Sequence, residues 1–468
     1  MAERNSPLIL GTEPIGKLLI QYSVPAIIAM TVTSLYNIID SIFIGHGVGA
    51  LAIAGLAITF PLMNLVVAFC TLVGIGGATI SSIFLGQKDK VRATEVVHNV
   101  LIMCIINAVC FGGLTFLFLD SILLFFGASH DTLPYARDFM QVILLGTPIT
   151  YVFIGLNNVM RATGYPRKAM FSSLLTVGCN IILAPIFIFS FDLGIRGAAL
   201  ATVVSQTVAM VWVLVHFANK KNFIHFDRRY SRLKVRVVAK IFSIGMSPFL
   251  MNVCACVVVI FINNALQHTG GDLAIGAYGI VNRTLMLFVM IVMGITQGMQ
   301  PIVGYNYGAK QYDRVRKTLR YGITAGVVVT TVGFVLSELF PHAIVAMFTT
   351  SEELVDLSVT GLRISCAMFP FVGCQIVISN FFQSIGRAPV SIFLSLSRQL
   401  LFLLPLLLIL PTYWSTNGVW LSMPISDFIA FVIAVMALWI HQRKIRQKLA
   451  QLQISVAYFC SIGLYFLV

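Results

Sequence analysis

Long apolar runs separated by short polar loops make up most of the 468-residue chain. A membrane-spanning helix needs about 20 predominantly apolar residues. Several runs exceed that minimum, which indicates helices that are tilted, kinked or longer than the bilayer is thick. We predict twelve spans, over residues 15–44, 51–84, 94–119, 134–160, 168–190, 197–218, 237–267, 273–305, 318–341, 355–383, 389–410 and 418–441.

The charges in the loops between these runs alternate in sign. Basic residues are concentrated after the even-numbered runs, most densely in residues 219–240. The loops after the odd-numbered runs carry acidic residues such as Asp131 and Glu352 and almost no Lys or Arg. Because cytoplasmic loops of membrane proteins are enriched in Lys and Arg, the pattern predicts that both termini are cytoplasmic.

The composition agrees with this interpretation and excludes several other classes. Hydrophobic residues make up 58% of the chain and charged residues only 10%, whereas soluble domains contain about 25% charged residues. The net charge of +14 resides in the loops, so we expect no nucleic-acid partner. The nine cysteines show no metal-ligand spacing with histidines, and we expect neither a structural metal nor a cofactor.

An internal repeat relates the two halves of the chain at an offset of 222 residues. Each half holds six predicted spans, so both halves enter the membrane in the same direction, as in a parallel repeat about an axis along the membrane normal. Pairs at this spacing include Gly76 and Gly298, Pro148 and Pro370, Asn158 and Asn380, and Gly164 and Gly386.

We therefore predict an all-α polytopic membrane protein with 12 transmembrane helices in two parallel six-helix lobes, related by a pseudo-two-fold axis along the membrane normal. The N-lobe is expected at residues 1–218, a basic cytoplasmic linker at 219–240 and the C-lobe at 241–445. In the C-terminal tail, 446–468, the apolar segment 455–468 has only 14 residues. We expect it to lie at the membrane interface or to pack against the protein, with a partial thirteenth span as the alternative.

Several motifs together resemble those of the multidrug and toxic compound extrusion (MATE) family, in its MepA-like and DinF-like bacterial branch. The resemblance covers residues of about 10–445. It implies export of amphipathic, often cationic, compounds in exchange for H⁺ or Na⁺ by alternating access of two lobes. The motifs are NIIDSIFIGHGVGALAIAGLAITFP, GIGGATISSIFLGQKDKVRA, MRATGYP, IRGAALATVVSQ and GITQGMQPIVGYNYGAK.

Asp40 is one of few acidic residues inside the predicted spans. An ionisable residue well inside a span costs about 2.5–3.5 kcal/mol on insertion scales and is a functional candidate. Tyr36, Asn37 and Asp40 share one face of the first helix, and Pro25 permits a bend in it. The resemblance implies that Asp40 binds the coupling cation and that substrate release is linked to bending of this helix. The alternative is an aspartate that reaches water at the interface.

Asn180 and Thr202 match family positions that line the cation site in the DinF-like branch. Amide, hydroxyl and carboxylate oxygens suit a hard cation such as Na⁺. Position 184, where that branch has a second acid, is Ala184, so the coupling ion, H⁺ or Na⁺, stays open. The alternative role for these polar groups is hydrogen bonding between helices.

Polar, aromatic and methionine side chains are the candidates for substrate contacts, since amphipathic cations favour cation–π and soft contacts. Packing within the helix bundle is the alternative role for each of them. The candidates are Tyr36, Asn37, Met63, Asn157, Asn158, Tyr278 and Met286.

Asp427, near the middle of the twelfth span, should lie at the same depth as Arg398 in the eleventh. We predict a structural ion pair, because pairing lowers the cost of burying both charges. Arg283 is a second candidate partner, and a second proton site is the alternative role for Asp427.

No phosphate-binding G-x-x-x-x-G-K-[ST] loop and no hydrolase motif occurs in the chain. We therefore expect a secondary exporter and not an enzyme: a monomer in the bacterial plasma (inner) membrane, acting on small amphipathic molecules and surrounded by lipid. A lipid-linked polysaccharide flippase, an exporter of an endogenous metabolite, and a membrane enzyme or receptor without transport are the alternatives.

Overall fold

The fold is described from a computed structural model that covers residues 8–48, 50–230, 232–349 and 351–465. Side chains are also left out of the description at 36–38, 41–42, 45–46, 50, 53–54, 228, 272 and 444–465. The described elements are all helical. They are α1 (Ile9–Thr12), α2 (Ile15–Gly47), α3 (Ala50–Gly86), α4 (Lys90–Leu117), α5 (Leu119–Phe125), α6 (Leu133–Leu145), α7 (Thr147–Ala162), α8 (Pro166–Pro185), α9 (Gly194–Ala218), α10 (Val235–Gly308), α11 (Tyr312–Leu339), α12 (Pro341–Ala346), α13 (Glu352–Cys366), α14 (Phe369–Ser384), α15 (Ala388–Leu396) and α16 (Leu404–Tyr465).

Two of these helical stretches are too long to cross a bilayer once. The 74 residues of α10 would extend about 110 Å at 1.5 Å per residue, against a hydrocarbon core of about 30 Å. Gly271, with φ of 63°, breaks α10 into two spans, and Ser415, with φ of 51°, breaks α16. The two breaks pack together, since the hydroxyl of Thr416 donates to the carbonyl oxygen of Thr269 at 3.1 Å.

Two further helix pairs are joined at a sharp bend. Helices α6 and α7 meet at 56°, and α13 and α14 meet at 52°. Pro148 and Pro370 occupy the first turn of α7 and of α14, where proline starts a new helix at little cost. With each bent pair taken as one span, the described residues hold up to eleven. The break at Ser415 divides the last of these, Ala388–Arg443, and the predicted count of twelve is confirmed.

The two halves, residues 8–218 and 235–465, meet through backbone contacts that obey the 222-residue offset. A Cβ placed on Gly86 would lie 1.9 Å from the carbonyl oxygen of Tyr305, and one on Gly308 would lie 2.1 Å from that of Ile83. Adding 222 to Gly86 and to Ile83 gives Gly308 and Tyr305, so the offset converts each contact into the other. They lie at the ends of spans two and eight that the charge pattern predicts to be cytoplasmic, and this end is called the cytoplasmic face below.

We predict that Gly308→Ala destabilises the protein by about 1–3 kcal/mol, because an added methyl group cannot fit against the Ile83 backbone. Thermal unfolding of the purified protein measures this effect. Gly113→Ala is the matched control, since a Cβ on that helical glycine has open space and alanine is the better helix former. Equal melting temperatures for Gly308→Ala and Gly113→Ala would show that the halves do not meet this closely.

A short segment before the first span of each half contacts the other half at the cytoplasmic face. The guanidinium of Arg314 donates to the carbonyl oxygens of Leu10 at 3.0 Å and Glu13 at 2.6 Å. Correspondingly, the backbone N–H of Lys234 donates to Oδ1 of Asn99 at 2.9 Å, and its ammonium pairs with Glu95. The halves are thus connected twice at this face, once through each segment.

Candidate functional site

Asp40 lies on α2, the first span, with only 9% of its surface exposed. Its Oδ1 atom has no hydrogen-bond partner among the described residues. Helix α2 packs against α8 and also contacts α9. A buried carboxylate oxygen without a protein partner is costly, and such a group is suited to bind a proton or a cation.

The depth of Asp40 can be compared with the depths of Asn180 and Thr202. Two contacts at the ends of these helices away from the cytoplasmic face serve as the reference level. A Cβ on Gly47 would lie 2.4 Å from the side chain of Ile188, and one on Gly194 would lie 3.8 Å from Val48. Counted inward from these contacts, Asp40 is about 10–12 Å deep and Asn180 and Thr202 are each about 12 Å deep, at 1.5 Å per residue. The three residues therefore lie at one level of the membrane on three neighbouring helices.

Asn180 and Thr202 contact each other directly. The amide nitrogen of Asn180 donates to the hydroxyl of Thr202 at 3.1 Å, and that hydroxyl donates to the carbonyl oxygen of Ala198 at 3.2 Å. Asn180 is 2% exposed. The structure thus brings together an amide and a hydroxyl from α8 and α9 at the level of the Asp40 carboxylate. Their roles in cation coupling stay predictions.

Ala184 lies one turn from Asn180 on α8 and is fully buried in an apolar cluster. Among the residues that the structure describes, no three His, Cys, Asp or Glu side chains are grouped so that they could hold a metal ion. The coupling ion, H⁺ or Na⁺, stays open, and the role of Asp40 as its ligand stays a prediction.

The remaining candidates on α2 all precede Asp40 along the helix. The side chains of Tyr36 and Asn37 fall outside the described part of the structure, so their substrate contacts stay predictions. Helix α2 continues without a break through Pro25. Pro25 lies between Ser23 and Ile27, whose backbones a Cβ on Gly298 or Gly294 would meet at 2.5–2.9 Å. At 3.6 residues per turn, Pro25 lies on the face of α2 opposite to Ser23 and Ile27, so it points away from the contact with the eighth span.

Asn157 and Asn158 are adjacent on α7 but have different partners. The amide of Asn157 is buried and donates to the carbonyl oxygen of Ala169 at 3.0 Å and to the hydroxyl of Ser172 at 2.5 Å. These bonds join α7 to α8. Asn158 instead accepts a hydrogen bond from the guanidinium of Arg161 at 3.1 Å. The placement favours helix packing for Asn157 and leaves Asn158 next to the interface between the halves.

The other three substrate-contact candidates have different exposures. Met63 is partly buried and packs against the apolar cluster of the first half. Tyr278 is 9% exposed, with its ring centroid 6.3 Å from that of Trp420, a placement that favours packing within the second half. Met286 is 47% exposed. All three roles stay predictions.

Arg398 and Asp427 form an ion pair inside the second half, with Nε donating to Oδ1 at 2.6 Å. The Asp427 side chain is 8% exposed and the Arg398 side chain 31%. Arg398 lies in a π-helical segment, Ser397–Leu403, which changes the direction of side chains relative to a regular helix. Within the described residues, Arg283 is exposed and makes no ion pair. Arg398 and Asp427 thus lie in contact as an ion pair. That this pair has a structural role stays a prediction.

A polar bridge between the halves was missed by the sequence analysis. The guanidinium of Arg161, on α7, donates to the side-chain oxygen of Gln297 on α10, and the amide of Gln297 lies 3.3 Å from the sulfur of Met30. Arg161 has no acidic partner among the described residues. The available signal was the position of Arg161, one residue after the fourth predicted span, 134–160.

Comparisons with known proteins agree with this architecture. The family model described as MatE matches residues 25–186 and 244–409. "Multidrug export protein MepA" of Staphylococcus haemolyticus (strain JCSC1435) is 29% identical over 425 residues, which are 90% of this chain and 92% of that protein. MepA of Staphylococcus aureus (strain MSSA476) is 26% identical over 431 residues, 91% of this chain and 94% of that protein.

Two solved structures share the fold along nearly the whole chain. The "MATE multidrug transporter DinF-BH", solved as a complex, is 37% identical, with a TM-score of 0.85 over 92% of this chain and 96% of that one. A "multidrug resistance MATE family transporter of the MOP superfamily" in an outward-facing conformation is 24% identical, with a TM-score of 0.87 over 93% of this chain and 97% of that one. The second likeness concerns the fold alone.

Proposed function

This chain belongs to the MATE (MatE) family of membrane transporters, and we propose that it is a secondary exporter of amphipathic, often cationic, compounds in exchange for H⁺ or Na⁺. One observation carries the proposal: the buried Asp40 carboxylate lies level with the hydrogen-bonded pair Asn180 and Thr202. The multidrug export named for its relatives supports the substrate class.

The coupling follows from competition for Asp40. A bound proton or Na⁺ neutralises the carboxylate, and a cationic substrate in the same lobe then loses its electrostatic attraction. Ion and substrate therefore weaken each other's binding by the same factor, as linkage requires. The ion enters from outside, where its chemical potential is higher, and substrate is released to that side. Pro25 allows α2 to bend as the occupancy of Asp40 changes.

In alternating access, each six-helix lobe of the repeat moves as one unit. We place the N-lobe at residues 1–218, the basic linker at 219–240, the C-lobe at 241–445 and the tail at 446–468. Glycine contacts such as those of Gly86 and Gly308 allow the lobes to close at the cytoplasmic face. Opening of that face breaks these contacts and the bridge from Arg161 to Gln297. Both termini are proposed to be cytoplasmic, in the bacterial inner membrane, and the working unit is a monomer.

A second candidate is a flippase for lipid-linked polysaccharide, and Arg161 is the observation that favours it. An anionic headgroup would find a guanidinium between the halves with no carboxylate partner among the described residues. Two arginines of the second half are already neutralised, however, because Arg363 lies 3.7 Å from Glu338 and Arg398 pairs with Asp427. These two paired arginines offer no free positive charge to a pyrophosphate-linked lipid. Drug export is therefore better supported than lipid flipping.

The proposal is tested in cells that lack their own drug pumps. Cells that express the chain should accumulate less ethidium than cells with an empty vector, and dissipation of the proton and sodium gradients should abolish the difference. Equal ethidium accumulation, together with slower turnover of a lipid-linked glycan when the chain is deleted from its host, would favour the flippase.

A further inference from the structure

A basic cavity of about 530 Å³ opens at the cytoplasmic face, away from Asp40 and its neighbours. It lies between the start of α4 in the first half and the start of α10 in the second. Its lining is formed by Phe84, Arg92, Glu95, Lys234, Val235, Arg236, Val237 and Lys240. We propose that this cavity binds a phosphate group, supplied by the headgroup of an anionic phospholipid.

The charges in the cavity do not balance. Four cations line it and only one carboxylate, that of Glu95, which is 7% exposed and pairs with Lys234. Arg92 has a carboxylate outside the cavity, Asp89, at 3.2 Å. Arg236 and Lys240 form no ion pair within the described residues. An anion placed here gains attraction to two cations whose charges the protein does not offset.

One aromatic ring, that of Phe84, contacts cations from both halves. The guanidinium carbon of Arg92 lies 5.8 Å from the centroid of Phe84, and the ammonium nitrogen of Lys240 lies 5.5 Å from it. The ring face attracts each cation, but the two like charges repel each other. Both cations line the cavity, so a phosphate group in it would offset this repulsion and could accept charge-assisted hydrogen bonds, which are stronger than bonds between neutral groups.

The surroundings favour a lipid as the source of the phosphate. Leu233 and Val235, next to the cavity, are 44% and 77% exposed, and an acyl chain would cover such apolar side chains. Basic pockets between transmembrane helices on the cytoplasmic side are typical sites for anionic headgroups. The ligand would connect Arg92 in one half to Arg236 and Lys240 in the other. It would therefore stabilise the arrangement in which the cytoplasmic ends meet.

The test is a titration of the purified full-length protein with phosphatidylglycerol, followed by native mass spectrometry. Arg236→Gln combined with Lys240→Gln should weaken binding roughly 30-fold, because each interfacial cation contributes roughly fivefold. Lys220→Gln combined with Lys221→Gln is the matched control. It removes the same charge from exposed positions of the same linker outside the cavity, and wild-type affinity is expected.

Parallel titrations identify the source of the phosphate and the outcomes that overturn the proposal. Phosphatidylcholine should bind weakly to all variants. Competition by millimolar inorganic phosphate, lost in the cavity variant, would assign the site to a soluble phosphate instead of a lipid. Equal phosphatidylglycerol affinity in the cavity and control variants, or an equal loss in both, would overturn it. If the double variant does not fold, Lys240→Gln alone should still weaken binding more than Lys220→Gln alone.

Discussion

Asp40→Asn is expected to abolish ion-driven dye export and to weaken ethidium binding, while the protein still folds. Asparagine keeps the size of the side chain and its hydrogen-bonding capacity but has no proton or charge to exchange at neutral pH. Because the carboxylate is buried with Oδ1 unpartnered among the described residues, its removal relieves a desolvation cost and should not destabilise the fold.

Ethidium efflux and ethidium binding to the purified protein, measured side by side, separate these effects. Asp131→Asn is the matched control, since it makes the same chemical change on a side chain that is 79% exposed in a loop, and wild-type efflux is expected. Undiminished efflux by Asp40→Asn would remove the carboxylate from the coupling mechanism. Loss of efflux together with misfolding would assign Asp40 a structural role instead.

Arg398→Met is expected to destabilise the second half by about 3 kcal/mol, at the lower end of the cost of leaving a buried charge unpaired. Asp427 is 8% exposed, and without the bond from Arg398 at 2.6 Å its carboxyl group would be buried with no charged partner. The expression level and the melting temperature in detergent should both fall. The charge swap, Arg398→Asp with Asp427→Arg, should restore much of the loss because it restores the attraction.

Arg363→Met provides the comparison for this ion pair. Its partner Glu338 is 3.7 Å away, and the two side chains are 51% and 36% exposed, so its loss should cost about 0–1 kcal/mol. Similar melting temperatures for Arg398→Met and Arg363→Met would contradict a structural pair. Normal stability with impaired transport would favour the alternative, in which Asp427 is a second proton site.

The scaffold could be predicted from the sequence because the bilayer leaves few alternatives. Every span must be long, apolar and helical, so the count of twelve follows from run lengths. The 222-residue offset also anticipates contacts, since Gly86 with Tyr305 and Gly308 with Ile83 exchange under it. The bends at Pro148 and Pro370 were not predicted, although the two prolines were paired, because a proline inside an apolar run does not reveal whether the helix restarts there.

The partners of the polar residues could not be predicted from the sequence. Asn157 and Asn158 are equally polar and adjacent, yet one joins α7 to α8 and the other binds Arg161. Helical rotation and the packing of distant segments decide between such roles. Arg161 was missed for the same reason: its partner Gln297 is 136 residues away along the chain, and nothing local distinguishes it from a loop cation.

An ion gradient alone is proposed to drive export, and everted membrane vesicles test this coupling most directly. Vesicles with the wild-type chain and no ATP should accumulate ethidium when an outward-directed H⁺ or Na⁺ gradient is imposed. Dissipating that gradient should release the dye, and Asp40→Asn vesicles should show neither effect. Failure of both gradients to drive accumulation in wild-type vesicles would contradict ion-coupled drug export.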